Sequence, residues 1–87
     1  MDEEQELRRG EEARRIIESE LYQEAFRIIR ENVHTDFENS KAGESEGRDK
    51  CWAMLKALNE IERHLSSVFE TGKMARAARE ARKPKTV

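Results

Sequence analysis

Apolar residues recur with helical spacing along two stretches of the chain. Between residues 17 and 37 they fall on two neighbouring rows of a helical wheel, one made of Ile17, Leu21, Ala25 and Ile28 and the other of Tyr22, Phe26, Ile29, Val33 and Phe37. At about 100° per residue the two rows together cover a sector of roughly 200°. One partner helix cannot cover a sector this wide, so we expect a third element or a second copy of the chain to cover the remainder.

A narrower apolar stripe follows between residues 51 and 69. It covers roughly 140° of the wheel and contains Cys51, Met54, Leu55, Leu58, Ile61, Leu65, Val68 and Phe69. Between the two patterns lie Gly43, which suits the position just after a helix, and Ser45, which suits an N-cap. The sequence therefore predicts an all-α protein whose central unit is an antiparallel helical hairpin, with helices over about 20–40 and 46–71.

Several single residues in the predicted hairpin depart from its simple pattern. Trp52 lies about 60° outside the second stripe, either at the hairpin edge or at a contact with another chain. Cys51 lies on the stripe, where a thiol acts as a small hydrophobic group rather than a nucleophile. Asn32, Asp36 and Glu62 interrupt the apolar sectors, and we expect them to lie at the edges in water or to meet Arg or Lys across an interface.

The net charge of −2 hides a strong polarity between the two ends of this 87-residue chain. Residues 1–12 contain six acidic and two basic side chains, whereas residues 71–87 contain six basic and one acidic. We therefore divide the chain into an acidic, partly helical N-terminal segment (1–18), the helical hairpin (19–72) and a basic C-terminal arm (73–87). Ser19 suits the N-cap of a helix that begins at Glu20, so a short separate N-terminal helix is expected. The two charged ends are expected to act separately.

Two sets of residues are candidate contact sites. The wide apolar sector and the Trp52 edge predict an interface with a second copy or another protein, made of Tyr22, Phe26, Ile29, Val33, Phe37 and Trp52. Arg76, Arg79 and Arg82 recur every third residue among alanines, which favour a helix. With their neighbours they predict a contact for nucleic acid or an acidic protein face, made of Lys73, Arg76, Arg79, Arg82 and Lys83.

No residue pattern indicates catalysis. His34 and His64 lack a second ligand at helical spacing, and the chain has no Ser-His-Asp, Cys-His or phosphate-loop arrangement. We expect no enzymatic activity, no metal and no cofactor. The chain also has no run of about 18 apolar residues, and its acidic N-terminus is unlike a secretory signal, so we expect neither a membrane span nor export.

Three short motifs resemble those of a known group of proteins. A Leu-x-x-Glu-Ala-Phe start is matched by Leu21, Glu24, Ala25 and Phe26, with Tyr22 and Gln23 at the two variable positions. A closing Thr-Gly-Lys-x-Ala is matched by Thr71, Gly72, Lys73 and Ala75. Between them, the core of the pattern is matched by Arg48, Lys50, Trp52, Leu55, Ala57 and Leu58. Over residues 19–75 the chain resembles small α-helical proteins of tailed bacteriophages that are often encoded among head and packaging genes.

The resemblance implies a virion component or an assembly factor, found in the host cytoplasm and in the virion. Together with the apolar pattern it predicts a non-enzymatic phage protein that forms homo-oligomers and docks on a viral structural protein of the head, portal or packaging machinery. The alternative is a small nucleic-acid-associated packaging or regulatory factor that uses the basic arm. A small enzyme would need a cleft of which the composition gives no sign.

Overall fold

The computed structural model describes residues 1–84, and within this range the chain forms three α-helices and no strand. Helix α1 spans Glu3–Glu18, α2 spans Glu20–Glu38 and α3 spans Ser45–Arg82. The prediction of an all-α protein with a short N-terminal helix is confirmed.

Local capping explains why α1 and α2 are separate helices. Asp2 accepts a hydrogen bond from the backbone N–H of Gln5 (2.9 Å), and the side chain of Gln5 accepts one from the backbone N–H of Asp2 (3.1 Å). This reciprocal capping box fixes the start of α1. Ser19 has an extended backbone, which ends α1, and its hydroxyl accepts a hydrogen bond from the N–H of Tyr22 (3.3 Å). A single serine thus ends one helix and caps the next, as the sequence predicted.

The turn between α2 and α3 differs in detail from the prediction. Helix α2 ends with Asn39 as its C-cap, and Gly43 lies four residues later with a φ of +96°, a conformation that favours glycine. Ser45 is the first residue of α3 rather than its N-cap, a position that Glu44 takes. The guanidinium of Arg48 donates a hydrogen bond to the carbonyl oxygen of Lys41 (3.0 Å), which ties the turn to the start of α3.

Helix α3 continues well beyond its predicted end. The expected stop at residue 71 and the separate basic arm from residue 73 are wrong, because the helix runs without a break to Arg82. The alanines between the arginines favour a helix, and Gly72, which the sequence pointed to as a boundary, lies buried inside it. Pro84 follows the C-cap Lys83, where a proline is common. Residues 85–87 of the predicted arm lie outside the described part of the chain.

The first two helices lie along successive parts of α3 and run in the opposite direction. For α1, Glu3 contacts Arg82 and Glu11 contacts Arg76. For α2, Arg30 contacts Glu62, while Asp36 near the end of the helix lines the same surface depression as Lys50 near the start of α3. The molecule is elongated, with dimensions of 70 × 23 × 18 Å. Its buried apolar side chains are few and are spread along this length: Ala13, Val33, Cys51, Leu58 and Ala75.

Candidate interaction surfaces

Two glycines bring the backbones of α1 and α3 into direct contact. A Cβ atom built on Gly10 would lie 2.8 Å from the Cα of Gly72, and one built on Gly72 would lie 2.7 Å from the Cα of Gly10. Both distances are shorter than real Cβ contacts, so no larger residue fits at either position without a shift of a helix. Ala13 and Ala75 are also buried. The contact between α1 and α3 is therefore made by small residues at close range.

The acidic and basic ends of the chain meet across this helix contact. Arg76 pairs with Glu11 (Nη2 to Oε1, 2.8 Å), and Arg82 pairs with Glu3 (Nη2 to Oε2, 2.6 Å). Arg79 pairs with Glu3 (Nε to Oε1, 2.9 Å) and also with Glu4. The expectation that the two charged ends act separately is wrong, because the antiparallel packing of α1 on α3 places them side by side.

Hydrogen bonds from arginines lower the pKa values of two carboxyl groups of α1, Glu3 and Glu11. Hydrogen bonds from Arg82 and then Arg79 lower the pKa of Glu3, although partial desolvation opposes them. The pKa of Glu11 is lowered by hydrogen bonds from Arg14 and then Arg76. Each carboxylate is thus held ionised in the folded chain, and its protonation would weaken the contact between α1 and α3.

The two remaining residues of the predicted basic contact pair within α3. The Nζ of Lys73 lies 3.2 Å from Oε1 of Glu70 and 4.9 Å from the centroid of the Phe69 ring. The Nζ of Lys83 lies 3.0 Å from Oε1 of Glu80. All five basic side chains that the sequence singled out therefore have a carboxylate neighbour. Exposed pairs of this kind are individually weak, but the carboxylates reduce the positive charge that this surface offers to a nucleic acid.

A second set of polar contacts joins α2 to α3. Arg30 pairs with Glu62 (Nη2 to Oε1, 2.8 Å) and donates hydrogen bonds to the side-chain oxygen of Asn59 from both terminal nitrogens (3.3 and 3.2 Å). Glu62, which the sequence expected either at a water-exposed edge or beside a basic group, has that group within its own chain. Its carboxylate therefore needs no partner subunit to balance its charge.

An open groove of about 520 Å³ lies beside this pair, where α1, α2 and α3 come together. Its apolar wall contains Ile17 and the rings of Tyr22 and Phe26, whose centroids are 4.4 Å apart. The hydroxyl of Tyr22 is buried and has no hydrogen-bond partner among residues 1–84. Burial raises the pKa of Tyr22, and the nearby charge of Glu62 adds to the effect. A buried hydroxyl without a partner is unfavourable for the folded chain.

The predicted interface residues occupy very different environments. Val33 is only 7% exposed and packs inside the single chain, which leaves it no surface for a second one. Tyr22 and Phe26 are half-buried in the groove. Trp52 is 64% exposed, Phe37 50% and Ile29 37%. The Nζ of Lys56 lies 5.4 Å from the centroid of the Trp52 ring, a cation–π distance.

Sequence reasoning missed two features of these surfaces. Gly72 was read as the end of the hairpin unit and Gly10 was given no role, although a glycine near each end of the chain, among charges of opposite sign, was a signal that these segments pack together. The structure also exposes apolar side chains that were assigned only to the internal stripes: Leu21, Ile28, Met54, Leu55 and Ile61. A wheel drawn for one helix at a time cannot tell which side of an apolar sector a partner will cover.

Other kinds of site have no support within the described residues. Residues 1–84 contain no group of three or more His, Cys, Asp or Glu side chains placed to hold a metal ion. None of the three helices is both long enough and apolar enough to cross a membrane. Comparisons of the chain with models of known protein families, with curated proteins and with solved structures gave no match.

Proposed function

We propose that this chain is a non-enzymatic helical protein that self-associates and docks on a structural protein of a bacteriophage head, portal or packaging assembly. The observation that carries the proposal is the imbalance between exposed and buried apolar side chains in α2 and the first half of α3. Only Val33, Cys51 and Leu58 are buried there, whereas eight large apolar side chains are exposed: Leu21, Ile28, Ile29, Phe37, Trp52, Met54, Leu55 and Ile61. Clustered exposure of this kind marks interaction surfaces.

The size of the chain supports self-association. Small domains bury a limited share of their surface and often gain stability from a second subunit. In the proposed unit, α2 and residues 45–71 of α3 form the helical hairpin, and another subunit covers the apolar sector that α3 leaves open on α2. Trp52 with Phe37 then remains for a different protein, because exposed aromatic residues are frequent at binding hot spots.

The viral setting of the proposal rests on sequence resemblance. Residues 19–75 carry the motifs described above, and this range includes α2, the turn and the first half of α3. The exposed apolar side chains lie in the same range. The nucleic-acid alternative has less support, because Arg76, Arg79 and Arg82 are already paired with the acidic helix α1.

Two experiments test the proposal, and a third tests the nucleic-acid alternative. Light scattering of the purified chain at micromolar concentration should give the mass of a dimer or a larger oligomer, and a monomer would contradict self-association. Mass spectrometry of purified phage particles, or of assembly intermediates, should detect the chain bound to a head or portal protein. Salt-dependent binding to DNA by the unmodified chain at ~50 mM salt would instead favour the nucleic-acid alternative.

A further inference from the structure

The pair of helices α2 and α3 has two flanks, one on each side of the plane that contains their axes. The contacts of Arg30 with Asn59 and Glu62 identify the first, which we call the polar flank. At about 100° per residue, Arg30 lies about 60° from the buried Val33, and Glu62 about 40° from the buried Leu58, in the same rotational sense. The polar side chains that share this flank are Gln23, Arg27, Arg30, His34, Asn59 and Arg63. The same rotation also places three exposed apolar side chains on it, Phe37, Leu55 and Trp52.

The opposite flank carries a second apolar surface. Because α2 and α3 run in opposite directions, residues rotated the other way from Val33 and Leu58 fall together on this side. We call it the apolar flank, and its residues are Leu21, Ala25, Ile28, Ile29, Met54 and Ile61. Those on α2 are centred about 90° from Val33, which is the direction in which a neighbour lies in a four-helix bundle.

The apolar flank is uncovered in the single chain. Leu21 is 73% exposed, Ile61 49% and Met54 48%, with Ile28 at 41% and Ile29 at 37%. Charged residues near its centre line are found only towards the turn, where Asp36 and Lys50 line the same surface depression as Met54. Neither Asp36 nor Lys50 forms an ion pair within residues 1–84.

The dimensions of this flank suit a dimer contact. Helix α2 has 19 residues, so the flank is about 28 Å long, and two packed helices make it about 20 Å wide. The projected area is therefore roughly 560 Å², and the ridged accessible surface is larger, which approaches the ~800 Å² per partner of a stable interface.

We infer that the apolar flank binds a second copy of this chain, and this inference rests on the self-association proposed above. The two copies lie side by side with their turns at the same end, so that α2 of each copy packs against α3 of the other. All neighbouring helices in the resulting four-helix bundle are then antiparallel. This orientation also brings Asp36 of one copy to Lys50 of the other, which gives each side chain the ion-pair partner that it lacks within residues 1–84.

Four single variants with matched exposure test the location of the interface. Ile61→Lys on the apolar flank is compared with Phe37→Lys on the polar flank, since the two native side chains are 49% and 50% exposed. Ile29→Glu is compared with Leu55→Glu, both native side chains being 37% exposed. Circular dichroism checks that each variant remains helical, and analytical ultracentrifugation measures the dimer dissociation constant. We expect the apolar-flank variants to raise it about 100-fold and the polar-flank variants less than about threefold, since a lysine or glutamate buried in the interface has no partner.

A charge exchange tests the orientation without altering the apolar surface. Asp36→Lys and Lys50→Asp should each weaken the homodimer, because like charges then meet twice across it. An equimolar mixture of the two variants should restore the wild-type dissociation constant, since every contact between the different chains is again between opposite charges. A mixture that associates no better than the separate variants would overturn the proposed orientation.

The outcomes distinguish this inference from the proposal on which it depends. A monomeric wild-type chain would remove both. A wild-type dimer that Phe37→Lys or Leu55→Glu dissociates, and that Ile61→Lys and Ile29→Glu leave intact, would overturn the inference and leave the proposed self-association standing.

Discussion

The two halves of α3 contact their partner helices in different ways. Near its C-terminus, α3 meets α1 through Gly10 and Gly72 at backbone distance, and a row of ion pairs flanks the contact. Its N-terminal half packs along α2, where the larger side chains of Val33 and Leu58 are buried and several other apolar groups stay exposed.

The C-terminal half of α3 is therefore covered within the chain, whereas the N-terminal half leaves apolar surface exposed. In the half that packs on α1, small residues allow the two helices to approach closely, and the basic side chains of α3 pair with acidic side chains of α1. The half that packs on α2 has more apolar surface than one partner helix can cover. Stability within the chain should therefore depend on both halves, whereas association with other chains should depend on the α2 half.

The largest expected change in the free energy of unfolding comes from truncating the main buried side chain in the α2 half. Leu58 is 5% exposed, and Leu58→Ala should lower the free energy of unfolding by about 3 kcal/mol, as for other buried leucines. Leu55→Ala is the matched control. Because the native Leu55 side chain is 37% exposed, this substitution should lower the free energy of unfolding by only about 1 kcal/mol. Urea denaturation followed by circular dichroism measures both. Equal losses would show that Leu58 is not a core residue.

The next largest change in the free energy of unfolding is expected when the glycine contact of the α1 half is disrupted. Gly72→Ala places a Cβ 2.7 Å from the Cα of Gly10, so the helices must separate, at a cost of about 1–3 kcal/mol despite the better helix propensity of alanine. Gly47→Ala provides the control, since nothing lies within 4 Å of the new atom, and it should be neutral or stabilising by up to about 1 kcal/mol. If the two variants are equally stable, the close contact of α1 with α3 is refuted.

A smaller effect, confined to α1, is expected in acid. The pKa values of Glu3 and Glu11 are lowered in the folded chain, so their stabilising effect is present above the ordinary glutamate pKa of about 4.3 and is lost as the pH falls through the lowered values. In two-dimensional NMR spectra, the amide signals of α1 should therefore lose their folded positions in acid before those of α2.

Glu3→Gln should reduce this response, because glutamine does not titrate. Concentrated salt at neutral pH should shift the same α1 signals, since the ion pairs are exposed and screened. Simultaneous loss of α1 and α2 signals under both conditions would argue against a distinct electrostatic contribution in the α1 half.

The smallest effect concerns the groove beside Arg30 and Glu62. The hydroxyl of Tyr22 is buried without a hydrogen-bond partner among residues 1–84, so Tyr22→Phe should leave stability unchanged or raise it by about 1 kcal/mol. Tyr22→Ala should instead destabilise the chain, because the ring packs on Phe26. A clear loss of stability in Tyr22→Phe, measured by thermal unfolding, would mean that the hydroxyl has a partner such as a bound water.

The sequence was informative wherever structure depends on near neighbours. The helical periodicity, the role of Ser19 as a cap and the position of the turn between α2 and α3 could all be predicted, because capping and amphipathicity act over a few residues. The end of α3 was predicted wrongly. Gly72 was read as the boundary between the hairpin and a basic arm, whereas it lies inside α3 and against Gly10, which is 62 positions earlier in the chain.

The candidate surfaces likewise depend partly on local sequence and partly on contacts between distant parts of the chain. The sequence by itself determined that the chain is helical, that its apolar sector is wider than one helix can cover and that its two ends carry opposite charge. Only the tertiary structure decided that the charged ends pair with each other, that Val33 is internal and which of the other apolar side chains stay exposed. The physical reason is that periodicity fixes the direction of a side chain relative to its own helix axis, whereas packing between helices fixes which directions are covered.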